Sequence, residues 1–340
     1  MKTFTIFLSR VIPVVVILFV SCTNQQDQSQ SSNYFTNEDS GLQTGNVKMI
    51  SIKTSKGEFN VWTKRYGYNS DKKVLLLHGG PGATHEYFEC FENFLPTEGI
   101  EFIYYDQLGS GNSVNPADTS LWNLPRFIEE VEQVRIALNL SKDNFYLLGH
   151  SWGGILAIEY ALKYQDNLKG LVISNMMSSA PDYDEYAHEV LAKQMDPEIL
   201  EAIMTFEEKG DYGNPEYMEL LMPNFYEQHI LRMPVTEWPE PLLRSFSKQN
   251  HEIYVMMQGP SEFGIAGKLE NWDRSNDLQK IEIPTLVIGA EFDTMDPEHM
   301  KWMSEQFPDG TYLYCSNGSH CAMYDDQQVY FEGLINFLKE

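Results

Sequence analysis

At 340 residues, with 42% hydrophobic and 13% aromatic content, the chain can bury one large core and is too apolar for a disordered polymer. Its formal charge of -25 repels nucleic acid and anionic membrane surfaces, so no nucleic-acid partner is expected. The same field tolerates or attracts cationic ligands, such as a free amino terminus.

Lys2 and Arg10 precede VIPVVVILFV, an apolar run of ten residues. That is too short to span a bilayer and matches the hydrophobic region of a secretory signal. The run leads into FVSC, which resembles a bacterial lipobox, although Phe19 stands where leucine is usual. Residues 1–21 are therefore expected to form a lipoprotein leader, with lipid on the Cys22 thiol as the membrane partner. A plain signal peptide or an uncleaved anchor is the alternative. Lipid anchoring implies a bacterial cell envelope, on the periplasmic side or the cell surface. Residues 22–45 are polar and read as a flexible tether. Cys90, Cys315 and Cys321 set out no disulfide framework; Cys315 and Cys321 either pair or stay buried as thiols.

From residue 46 onward strand and helix signals alternate. VKMISIKT and GEFNVWTKR form a hairpin pattern around Lys56 and Gly57. KVLLLHGG, IEFIYYDQLGSG, NFYLLGH, KGLVISN and IPTLVIGA are short apolar runs, as expected of strands buried on both faces. Phe127, Val131, Val134 and Leu138 recur at helical spacing, and Ile155, Leu156, Ile158, Ala161 and Leu162 line a second helix. The pattern predicts an α/β fold with a mostly parallel central sheet flanked by helices. The rhythm stops between residues 176 and 272, where EYAHEVLAKQ and PEILEAIMTFEEKG read as amphipathic helices amid dense aromatics and methionines. This segment is expected to be a helical cap inserted into a core formed by residues 46–175 and 273–340. Trp238, Trp272 and the cap tyrosines either line an apolar pocket or hold the cap together.

The stretch GHSWGG places Gly149, Ser151 and Gly153 in the pattern G-x-S-x-G between a buried strand and a helix. A sharp turn there strains the serine backbone and exposes its hydroxyl, while small neighbours let the chain pass. Serine is a poor nucleophile without a base, so the turn demands a later histidine and an acid that orients it. His320 lies in a loop after the last predicted strand, GTYLYCS, and Asp293 just beyond the strand before it, IPTLVIGA. Glu291 and Asp296 are rival acids; His299 is the second choice of base. Acyl transfer also needs donors for a developing oxyanion. The backbone N–H of Trp152 and that of Gly80, in HGGPG, are the candidates. HGGPG lacks the spacing of a phosphate-binding loop, and no His or Cys pair has zinc spacing. The chemistry requires no metal and no organic cofactor.

HGGPG, YYDQLGSGNS, GHSWGG, GAEFD and GSH together resemble the proline iminopeptidases, which are serine aminopeptidases of α/β-hydrolase type. The resemblance runs from about residue 46 to the C-terminus. MMQGPSEF and NWD are similar to the archaeal aminopeptidase that works with the tricorn protease. The resemblance implies Ser151 as nucleophile, His320 as base, Asp293 as its orienter, and Gly80 with Trp152 as oxyanion hole. It further implies Glu262 as a ligand for the substrate's free amino group, with Glu86 a second candidate. A glutamate that follows the catalytic aspartate in such relatives is Thr294 here. The implied activity is release of an N-terminal residue, preferentially proline, from short peptides with a free N-terminus. An esterase, lactonase or amidase on the same triad is the alternative. An inactive lipid-anchored binding protein is the alternative of another class. The sequence sets neither the oligomeric state nor the preferred peptide length.

Overall fold

The computed structural model describes residues 44–340. The leader, Cys22 and nearly all of the tether lie outside the described residues. The described residues belong to one compact unit.

Eight strands form one sheet: β1 (Val47–Thr54), β2 (Gly57–Tyr66), β3 (Lys73–Leu77), β4 (Glu101–Asp106), β5 (Phe145–His150), β6 (Gly170–Ser174), β7 (Thr285–Ala290) and β8 (Gly310–Cys315). Their spatial order is β1-β2-β4-β3-β5-β6-β7-β8. β1 and β2 pair antiparallel, as does β2 with β4; every other pairing is parallel. Parallel neighbours need crossovers, and helices supply them. These are α1 (Leu124–Ala137) before β5, α2 (Trp152–Tyr164) before β6, and, further along, one between β7 and β8.

Alternate residues of each strand face opposite layers, as a two-residue period requires. Leu75 and Leu77 join the cluster containing Val131 of α1 and Leu156 of α2. Val74 and Leu76 join the other cluster, with Phe88, Phe91 and Leu334. The chain runs from β3 to β4 on one side, then crosses to β5 on the other. Such a reversal opens a crevice at the carboxyl ends of the strands, where sites form in open α/β sheets.

The insertion leaves and returns at one neck. Ser179 bridges Asp273, and the N–H of Ala180 donates to the carbonyl of Trp272 at 2.8 Å. Between these points run α3 (Ala180–Tyr186), α4 (Pro197–Lys209), α5 (Pro215–Leu221), α6 (Glu240–Ser247) and α7 (His251–Met257). Pro197 is preset for the first turn of α4, and the Asp196 side chain caps it by accepting from the N–H of Glu198 at 2.9 Å. The predicted helix over 185–194 is instead the end of α3 followed by wider and tighter turns. Cap residues Ile203, Tyr217, Phe225 and Leu242 share a buried cluster with Tyr87 and Phe88 of the body. The cap therefore closes over the sheet without a core of its own. α8 (Pro297–Gln306) links β7 to β8, and α9 (Gln327–Lys339) ends the chain. Cys90, Cys315 and Cys321 are buried free thiols, so the pairing of Cys315 with Cys321 is not formed. No helix among the described residues is long and apolar enough to cross a membrane.

Candidate active site

β5 ends at His150, and the chain turns at Ser151 directly into α2. Ser151 has φ 56° and ψ −129°, a conformation costing about 1–3 kcal/mol that only surrounding structure can impose. Its N–H donates to the carbonyl of Ser174 at 3.1 Å, tying the turn to the end of β6. The flanking glycines are forced by close passage. A Cβ on Gly149 would lie 1.9 Å from the carbonyl oxygen of Gly153, and one on Gly153 2.1 Å from that of Leu77.

The loops after β7 and β8 bring Asp293 and His320 to this turn. His320 Nδ1–H donates to Asp293 Oδ1 at 2.7 Å, and the carboxylate is fully buried. Asp293 Oδ2 accepts from Asn175 Nδ2 at 2.7 Å. The hydroxyl of Thr294 sits 3.3 Å from both Asp293 Oδ1 and His320 Nδ1. Burial alone disfavours a charged imidazole. The Asp293 charge, its hydrogen bond and the Glu262 charge oppose that, and the His320 pKa ends above the ordinary histidine value. The rival acids and base stand elsewhere. Glu291 accepts from Tyr314, Asp296 caps α8, and His299 faces Ser178 and Asp182.

Ser151 and His320 line the same cavity, but no hydrogen bond joins Ser151 Oγ to the imidazole. This is the one contact of the expected relay that the structure does not make. Catalytic hydrogen bonds are often long or misaligned in empty sites and tighten around substrate.

The N–H of Gly79 is already engaged, donating to the Tyr87 hydroxyl at 2.8 Å. The N–H groups of Gly80 and Trp152 meet no protein acceptor among the described residues. Gly80 has φ 105°, a conformation open chiefly to glycine. Gln107 links the segments that carry these two donors. Its Oε1 accepts from the Trp152 indole at 2.9 Å, and its Nε2 donates to the carbonyl of His78 at 3.1 Å. Asp106 organises the turn beyond β4, accepting from His85 and Asn112.

A cavity of about 50 Å³ opens above Ser151. Ala83, Ile230, Leu242 and Phe246 give it apolar walls, and Glu262 is the carboxylate among its lining residues. Tyrosines set Glu262 in place. Tyr254 donates to its Oε1 at 2.7 Å, and Tyr183 to its carbonyl oxygen at 2.6 Å. Its N–H donates to the Tyr226 hydroxyl at 3.2 Å. Burial raises the Glu262 pKa, with Asp293 adding to the effect and His320 and Tyr254 opposing it. An incoming ammonium would offset that burial directly.

Glu86 does not reach the cavity. Its carboxylate is 2% exposed, bonds Thr84, and pairs with Lys248 of the cap at 2.5 Å. Glu86, the second candidate for the amino group, is thus engaged by Lys248 and Thr84 and is not among the residues that line the cavity. Trp238 and Trp272 also stay out of the cavity lining; their indoles donate to Met233 and Glu159. Sequence reasoning missed Asn175, Gln107 and Tyr87. Asn175 carried a faint signal, directly after the apolar run of β6.

Three comparisons bear on this geometry. Residues 72–196 match the alpha/beta hydrolase fold family. The chain is 61% identical over 292 residues to a proline iminopeptidase of Flavobacterium johnsoniae, covering 86% of this chain and 98% of that protein. It is 56% identical to one of Chitinophaga pinensis, with the same coverage. An archaeal relative, the proline iminopeptidase of Saccharolobus solfataricus, is 35% identical over 83% of this chain and 89% of its own length. Among solved structures, VinJ superposes with a TM-score of 0.78 at 27% identity, covering 86% of this chain and 98% of that one. A proline iminopeptidase of Mycobacterium smegmatis follows with a TM-score of 0.74 at 27% identity and the same coverage.

Proposed function

The chain belongs to the proline iminopeptidase family of α/β-hydrolases, and from that premise we propose that it is a serine aminopeptidase releasing N-terminal residues, preferentially proline, from short peptides. The observation that carries this is Glu262, a carboxylate held by tyrosines in the same cavity as Ser151 and His320. It fixes one charged end of a substrate, so that the first peptide carbonyl is measured off toward the nucleophile.

The residues then divide the work. Ser151 Oγ attacks the carbonyl carbon while His320 Nε2 takes the hydroxyl proton. Gly80 and Trp152 N–H groups donate to the oxygen that becomes negative. The carbon–nitrogen bond breaks as His320 passes its proton to the leaving amine. Water, deprotonated by His320, attacks the acyl carbon; the bond to Ser151 Oγ breaks, His320 returns the proton to Oγ, and the N-terminal amino acid is freed. Asp293 holds the imidazole and stabilises its cationic form throughout. The cap limits entry, which favours short peptides over folded proteins.

Export and lipid anchoring through Cys22, at the envelope of a bacterial cell, belong to the same proposal. Their support is the short apolar run after Lys2 and Arg10 and the FVSC stretch. The deciding assay compares proline p-nitroanilide with its N-blocked form and with a small neutral ester. Preference for the free amine is expected; equal cleavage of the blocked amide would sink the aminopeptidase reading and leave an amidase or esterase.

A further inference from the structure

Three hydrogen bonds form a continuous line across the floor of the cavity. The N–H of Gly79 meets the Tyr87 hydroxyl at 2.8 Å, that hydroxyl lies 3.1 Å from His150 Nδ1, and His150 Nε2 lies 2.8 Å from the carbonyl oxygen of His320. We propose that Tyr87 and His150 are positioning residues that lock the oxyanion loop and the catalytic base into one frame. The inference rests on the proposed roles of Ser151 and His320.

Each bond in the line has a forced direction. The carbonyl of His320 can only accept, so His150 carries its proton on Nε2. Burial keeps His150 neutral, with its pKa near 3, so Nδ1 must be an acceptor. The Tyr87 hydroxyl therefore donates to Nδ1, and its oxygen takes the Gly79 N–H. One tautomer of one buried ring thus connects two loops that lie far apart in sequence. The frame is braced at both ends. The N–H of His320 donates to the carbonyl of His229 at 2.9 Å, and Tyr324 donates to the carbonyl of Tyr87 at 2.8 Å. Gly80, next to Gly79, and the imidazole of His320 must hold a fixed separation while charge moves between them. Loss of the line misplaces the donors relative to the base without touching Glu262.

The test uses His150→Leu, His150→Gln and Tyr87→Phe, assayed on proline p-nitroanilide and on p-nitrophenyl acetate. NMR of the imidazole nitrogens reads the His150 tautomer. His150→Leu is expected to lower kcat at least about tenfold with KM within about twofold, because the defect lies in alignment. His150→Gln, whose amide can still donate to His320 and accept from Tyr87, restores most of that loss. The NMR spectrum shows the Nε2–H form in the wild type and a mixture in Tyr87→Phe. Equal losses in the Leu and Gln variants, an unchanged kcat in Leu, or an Nδ1–H form in the wild type would overturn the proposal. Should the Leu variant not fold, the Gln variant and the tautomer still decide. The ester assay and the NMR do not depend on amino-terminal recognition, so failure of the aminopeptidase reading is seen separately, as a wild type inactive on the proline amide.

Discussion

Asn175 donates to Asp293 through the carboxylate oxygen that His320 leaves unused, at 2.7 Å. The same amide reaches the carbonyl of Ser319 at 3.3 Å, next to the base. Asn175 is itself held with φ 54° just past β6. One side chain thus fixes both the acid and the loop that carries the histidine. Asn175→Ala leaves a buried acceptor without its donor, at a cost of about 1–3 kcal/mol in stability. It should also lower kcat/KM by about ten- to a hundred-fold through misorientation of the imidazole. Steady-state kinetics beside thermal melting checks both, and wild-type kcat/KM in a folded variant would remove Asn175 from the machinery.

The raised pKa of His320 fixes the direction of the acid limb. Only the neutral imidazole accepts the Ser151 proton, so kcat/KM rises as pH climbs through that value. On a neutral ester, which makes no use of Glu262, the midpoint should lie above the ordinary histidine value of about 6.5. Asp293→Asn should move the midpoint down as well as slow the reaction, because the charge favouring the imidazolium is gone. Stability follows the same linkage. The contribution of His320 is fully present below its unfolded pKa and is lost as pH rises through the folded one. A midpoint below that of a free histidine would contradict the Asp293–His320 geometry.

Glu262 must be ionised to bind an ammonium, and burial raises its pKa. Its contribution to binding therefore disappears as pH falls through that raised value. Free-amine substrates should lose activity on acidification beyond the loss seen with neutral esters. Glu262→Gln keeps a partner for Tyr254 and removes the charge. A charge-assisted hydrogen bond is worth about 1.5–3 kcal/mol, so kcat/KM on proline amides should fall about ten- to a hundred-fold. Ester hydrolysis should change less than about twofold. Parallel losses on both substrates would show Glu262 to be a structural residue.

The legible parts of the molecule were those written in local pattern. β3, β5 and β7 stand out because strands buried on both faces must be apolar throughout, as Leu75 to Leu77 and Leu286 to Ile288 are. The turn at Ser151 was legible because Gly149 and Gly153 leave no room for a side chain. Asp293 and His320 followed from chain order and from their place beyond strand ends. What escaped were residues whose partners lie far away in sequence. Asn175 is 118 residues from Asp293, and Gln107 is 45 from Trp152, so the neighbouring sequence names the partner of neither. The partner of Glu86 is likewise distant in sequence. The closeness of Glu86 to HGGPG suggested the cavity, while Lys248, 162 residues on, turns it into the cap contact.

Glu86 and Glu262 should consequently respond in opposite ways to the same change. Glu86 is buried, but its partner Lys248 is 48% exposed, so water screens the pair and limits its worth. Arg244 reaches the same carboxylate at 3.9 Å while forking onto Glu89 at 3.0 and 2.9 Å, which gives the cap a second hold on the body. Glu86→Gln should cost about 1 kcal/mol of stability, with a salt dependence of melting weaker than that of the wild type. The ratio of kcat/KM between free-amine and N-blocked substrates should not move, because no substrate ammonium meets Glu86. A fall in that ratio with melting unchanged would return Glu86 to the list of substrate ligands and require the cap near Lys248 to open when peptide binds.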